Sequence, residues 1–200
     1  MHQLFNALSE ASSRKILMEP TSLESAEIQT IASGERGGTQ TILVVGIGSA
    51  HGDDQIGWLV AKELMRRSIE NCRVRIAATP LELLNWLEDC TLLHVIDACQ
   101  GTGPPGTIYR LPWPCSEMEQ REWSGTHDFH LASVLRLAQQ LEQLPSRVVV
   151  WGIEMTGTHT RLDAPSNKVI DWILPIADRI QAAIVDSELL VRQQDGKEQS

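Results

Sequence analysis

The sequence predicts an α/β fold, a three-layer αβα sandwich built on a five-stranded, mainly parallel, twisted sheet with helices on both faces. Three observations predict it. Short apolar, β-branched runs alternate with longer amphipathic stretches from residue 41 to about 185, the pattern left by right-handed βαβ crossovers. The runs 41–45 (TILVV) and 148–151 (VVVW) carry almost no polar residue, as expected of parallel strands covered on both faces. A chain of 200 residues with 42% hydrophobic content is long enough for one core of this size, and no internal repeat points to a second domain.

Taken in order, residues 1–40 read as an appended N-terminal segment. Serines dilute its apolar residues, and Gly34, Gly37 and Gly38 lead into the first strand. Partial disorder and a cover over a sheet edge are both open for it. The first strand is Thr41–Val45. Gly46 and Gly48 then turn the chain, and Ile56, Leu59, Val60 and Leu64 recur at the spacing of one helix face. Cys72–Ala77 alternates weakly and reads as a second strand. Thr79-Pro80-Leu81-Glu82 has the composition of a helix start with a capping box, and Leu83, Leu84 and Leu87 give that helix its face. Leu92–Ile96 is a third strand ending in Asp97. Five glycines and prolines then break the chain before a fourth strand, Thr107–Leu111, which has no helix ahead of it and is expected antiparallel at an edge. A long loop, 112–126, precedes a helix expected from about His127 to Gln143. Arg147–Trp151 is the fifth strand. A last helix carries Val169, Ile173, Ile176, Ile180 and Ile184, with Pro175 expected to kink or divide it. The α/β domain is thus expected over 41–190, with a polar tail at 191–200.

Net charge is −9 and the pI about 5.1. This disfavours nucleic acid and anionic membrane surfaces, which select basic patches. No apolar run approaches the roughly 20 residues of a membrane span, and the N-terminus lacks the charge and apolar pattern of a signal peptide. The expectation is a cytoplasmic monomer acting without nucleic acid, membrane or organic cofactor. Cys72, Cys90, Cys99 and Cys115 show no C-x-x-C spacing, so neither a zinc ribbon nor a redox pair is indicated.

The connection from the first strand to the first helix, Gly46 to Gly57, concentrates the chemistry. A dinucleotide fingerprint would need a third glycine at His51 and would not place Asp53 and Asp54 before a pyrophosphate. A cation site suits the two acids, and so does simple capping of the helix N-terminus. In a parallel sheet Asp54 and Asp97 emerge at the same carboxyl edge, where ligands of open α/β sheets bind, and the long loop can bring His127 there. Two carboxylates and an imidazole form a hard-to-borderline site for a divalent transition metal with positions left open. Each also has an ordinary explanation as a cap or loop anchor. His51, His130 and His159 are alternative ligands, and Glu154 at the end of the fifth strand either lines the site or pairs with a base. Cys99 is a poor nucleophile beside two aspartates, and Ser49 has no G-x-S-x-G elbow around it.

At these residues the chain resembles the nickel–iron hydrogenase maturation endopeptidases. The residues that carry the resemblance are Gly46-Ile47-Gly48-Ser49 followed by Asp53-Asp54-Gln55-Ile56-Gly57, the strand Leu92–Ala98 with its Asp97-Ala98, the triplet Gly125-Thr126-His127, and Gly152-Ile153-Glu154. The similarity spans roughly residues 41 to 185. It implies an endopeptidase that removes a C-terminal peptide from the precursor of a hydrogenase large subunit after nickel insertion. It also implies that Asp54, Asp97 and His127 contact that nickel, which arrives with the substrate, and that they form the catalytic site. Ser49 stands where the family has asparagine, the loop is one residue shorter, and His51 and Gly52 replace apolar residues. A metallopeptidase holding its own metal and a non-cleaving checkpoint for metal insertion are the competing readings.

Overall fold

The computed structural model describes residues 41–101, 103–118, 121–123, 130–155 and 164–198, and side chains as far as residue 187. Its sheet consists of β1 (Ile42–Ile47), β2 (Cys72–Ala77), β3 (Leu92–Gln100), β4 (Ile108–Pro112), β5 (Glu122–Trp123) and β6 (Arg147–Glu154). The order is β2-β1-β3-β6-β4, with β5 attached to the end of β3. The pairs β1–β2, β1–β3 and β3–β6 are parallel. β4 runs antiparallel to β6 at the edge. The link between β3 and β4 is only seven residues, 101–107, and a parallel return needs a dozen or more, so β4 reverses direction.

Helices cover both faces. On one, α1 (Ile56–Arg67) and α3 (Asn167–Glu198) bury Ile56, Val60, Leu64, Val169, Ile176, Ile180 and Ile184 against Ile42, Val44 and Ile96. On the other, α2 (Leu131–Gln140) and the turn Pro80–Asn85 bury Leu131, Val134, Leu135 and Leu83 against Leu43, Val45 and Val95. The alternation of Ile42 and Val44 to one side with Leu43 and Val45 to the other is the period-2 geometry of a strand. Arg67 fastens the first pair of helices: it bonds Glu63 one turn back at 3.0 Å and Asp178 of α3 at 2.8 Å.

Several elements differ from the sequence expectation, beginning with β5, which lies inside the expected loop 112–126 and gives the sheet six strands where five were expected. The residues from Pro80 form a 3₁₀ helix that ends at Asn85. Its start is as expected, since the Glu82 carboxylate accepts the Thr79 N–H at 3.1 Å and the Ala78 N–H at 2.8 Å. The helix expected from His127 begins at Leu131, with His130 at the N-cap. The third strand continues past Asp97 to Gln100, because β6 and β5 go on supplying backbone partners there. Finally, α3 is continuous through Pro175 and continues to Glu198, into the stretch expected as a polar tail. Pro175 removes one helix hydrogen bond, but Val169 before it and Ile176, Ile180 and Ile184 after it bury into the same core, and that packing holds the helix together.

Candidate active site at the carboxyl edge of the sheet

Asp54 lies in the 3₁₀ turn Gly52–Gln55, between the end of β1 and the start of α1. Two close approaches fix that turn. A Cβ on Gly48 would stand 2.4 Å from the Asp54 carbonyl oxygen. A Cβ on Gly57 would stand 2.0 Å from the Ile47 carbonyl oxygen and 2.8 Å from that of Ile96. Only glycine lets the first turn of α1 sit directly on the ends of β1 and β3. Asp54 is thereby held beside the strand end that carries Asp97.

The adjacent acids of the turn have separate roles. Asp53 accepts the Ser166 N–H at 2.7 Å, tying the turn to the segment that enters α3. Asp54 is half-buried, and among the described residues its carboxylate makes no hydrogen bond or ion pair. The N-cap of α1 is Gln55, and no side chain forms a cap bond there.

Asp97 is fully buried. Pairing of β1 with β3 stops at Gly46 and Ile96, whereas β6 continues alongside, with Gly152 opposite Asp97. Asp97 is thus the first residue of β3 beyond the reach of β1, facing the opening that the glycine turn bridges. By strand alternation it shares a sheet face with Val95 and Cys99, the face covered by α2. His127 and His159 lie outside the described residues. His130 is exposed at the α2 N-cap. His51 is exposed, and its N–H donates to the Ser49 hydroxyl at 3.4 Å, so Ser49 anchors its own loop. Among the described residues no three acidic, histidine or cysteine side chains form a metal-sized cluster.

Glu154 is the second buried acid of this edge, 2% exposed. Its Oε1 accepts the Gly101 N–H at 2.5 Å, and its Oε2 lies 3.5 Å from the Arg121 guanidinium. Arg121 in turn lies over the Tyr109 ring, 3.5 Å from its centroid. Glu154 thus pairs with a base, the second of its two sequence alternatives. Arg121 and Tyr109 escaped the sequence reading. An arginine inside a long loop carries no local signal, and only the β3–β5 pairing brings it to the end of β6. Cys99, opposite Glu154 in the ladder, is buried, and its thiol is pushed up to about 12 by that burial and then by the Glu154 carboxylate. It stays protonated at neutral pH, which removes it as a nucleophile.

The family model for hydrogenase maturation proteases (HycI) matches residues 59–180, more than half of the chain. The chain belongs to that family. As a hydrogenase maturation protease it is a peptidase, and its fold agrees with solved structures. The hydrogenase maturating endopeptidase HybD from E. coli is 24% identical, over 74% of this chain and 94% of that one, with a TM-score of 0.60. The [NiFe] hydrogenase maturation protease HycI from Thermococcus kodakarensis is 22% identical, over 73% and 93%, with a TM-score of 0.58. An endopeptidase from Escherichia coli, solved in solution, is 22% identical, over 74% and 94%, with a TM-score of 0.62. No protein of curated function matches the chain. Both the resemblance found in the sequence and the mainly parallel α/β fold are thereby borne out for this maturation protease. No helix among its described residues is long and apolar enough to cross a membrane.

Proposed function

We propose that this maturation protease removes a C-terminal peptide from a nickel-loaded precursor of a hydrogenase large subunit, with Asp54, Asp97 and His127 recognising the metal that the substrate carries. The observation that carries the reading is the seating of the Asp54 turn on the ends of β1 and β3 beside buried Asp97. The Asp54 carboxylate is half-exposed with no partner among the described residues, and its turn is seated at the strand end that carries Asp97. This arrangement suits a site whose counter-charge arrives with the substrate. Carboxylate oxygens and a neutral imidazole are competent ligands for nickel, and the precursor's own thiolates would complete the shell.

In this reading the metal aligns the scissile bond, and Asp54 or Asp97 orients the attacking water and takes its proton. A precursor without nickel would lack the bridge to the enzyme. The protease acts in the cytoplasm as a monomer, and residues 1–40 are an appendage to the 41–190 catalytic domain.

The test is cleavage of nickel-loaded precursor by Asp54→Asn, Asp97→Asn and His127→Ala, followed by mass spectrometry of the product. Each should slow cleavage by about 100-fold or more while leaving the unfolding midpoint close to that of the parent. Full activity in all three variants removes the site.

A further inference from the structure

Away from the carboxyl edge, a groove of about 500 Å³ opens between α3 and the antiparallel pair β4–β6. Arg110 of β4, Arg147 at the start of β6 and Arg179 of α3 line it, with Trp151 and a single carboxylate, Asp186. Trp151 packs into the core on the α1–α3 side of the sheet, whereas Asp97 shares the opposite, α2-covered face with Val95, and Arg147 lies further back, at the start of β6. The groove is therefore separate from the proposed catalytic site.

We infer that this groove binds a multiply charged oxyanion, a ligand carrying two or more carboxylate or phosphate groups. Three guanidinium groups from three different elements meet one carboxylate there, in a chain whose net charge is −9. All three arginines are exposed, and among the described residues none forms an ion pair. The other arginines that approach carboxylates, Arg66, Arg67 and Arg121, do so within 4 Å. Arg110 instead lies over the Trp151 ring, 5.8 Å from its centroid. A guanidinium is more weakly hydrated than an ammonium, and with no carboxylate partner its planar fork is available for a bidentate oxyanion. Like charges gathered around one concavity repel, and a bound polyanion relieves that repulsion. The same field reaches the core behind the groove, where Arg110 and Arg147 add to burial in keeping His94 neutral. The volume falls within the range of small-ligand sites.

The experiment is isothermal titration of the full chain at about 0.15 M salt, where exposed charges are screened beyond roughly 8 Å. The probes are citrate, pyrophosphate and a hexaglutamate peptide. At least one should bind saturably at one site per chain. Arg110→Gln, Arg147→Gln and Arg179→Gln should each weaken it about tenfold, the scale of one lost charge-assisted hydrogen bond. Saturation by citrate or pyrophosphate identifies a free small anion as the ligand, and saturation by the peptide alone identifies acidic side chains of a protein. Asp97→Asn should bind the probe unchanged, so the result is independent of the protease reading. No saturable binding of any probe overturns the inference, as does equal binding by all three arginine variants.

Discussion

The middle and the carboxyl end of the same two strands, β3 and β6, bury ionisable groups in opposite ways. In the middle, His94 is fully buried with its Nδ1 accepting the Trp151 indole N–H at 2.9 Å. Burial, with Arg110 and Arg147 adding to it, holds its pKa down to about 3. The ring is therefore neutral, with its proton on Nε2. At the carboxyl end, Glu154 is almost as deeply buried but is paired with Arg121 and bonded to the Gly101 N–H. Close by, Asp97 is also buried. The core thus holds a neutral ring, while the strand end gives its buried Glu154 a backbone donor and a base. An ordinary core follows the first rule, since a neutral ring with one good hydrogen bond is the cheaper burial. Departure from that rule at one end of the sheet is the physical signature of a site.

Breaking the pairing at the carboxyl end should have the larger effect. Glu154→Ala leaves Arg121 facing an apolar gap and takes the acceptor from Gly101. We expect about 3 kcal/mol of destabilisation, the scale for removing one member of a buried pair, measured by urea unfolding. A change below about 0.5 kcal/mol would make the pair equivalent to a surface one.

Next in size is the close approach that seats the Asp54 turn. Gly57→Ala puts a methyl group against two backbone oxygens, neither of which belongs to a flexible side chain. Overpacking of this kind costs roughly 1–3 kcal/mol. Because the turn must lift to accommodate it, precursor cleavage should fall more steeply than stability. Destabilisation with full activity would show that Asp54 does not depend on this seating.

The smallest effect concerns His94 and sharpens the comparison through pH. Its folded-state pKa of about 3 lies below its ordinary value near 6.5, so below pH 6.5 the unfolded chain takes up a proton that the folded chain refuses. The folded state loses stability as pH falls through that window, by at most about 1.4 kcal/mol per pH unit from this group. His94→Asn, which retains an acceptor for the indole, removes the dependence. The gap between parent and variant should narrow by about 1 kcal/mol from pH 7 to pH 5.5, read from denaturant curves at each pH. A constant gap would mean that the ring takes up its proton equally in the folded and unfolded chains.

Much of this contrast is invisible along the chain. His94 and Trp151 are 57 residues apart, and neither is marked by its neighbours in sequence. Asp97 was legible as the acid ending an apolar run, and Asp54 as an acid in a glycine turn. Their different fates from Asp53 were not, because adjacent residues share one local signal while their side chains diverge. The edge position and direction of β4 were legible from the short link ahead of it. The short strand β5 was not, since two residues have no periodicity, and its place depends on the part of β3 that extends beyond β1.

By itself, then, the sequence determined the alternation of strands and helices, the sheet edge at which the acids gather and the family to which the chain belongs. Each of these rests on patterns repeated within ten or fifteen residues or on short motifs. Tertiary structure alone decided how far β3 extends, which base Glu154 meets, that α3 continues through Pro175, and that three arginines from separate elements line one groove. Those outcomes depend on pairing between distant segments, where the energy lies in burial and ladder bonds that no local stretch of chain contains.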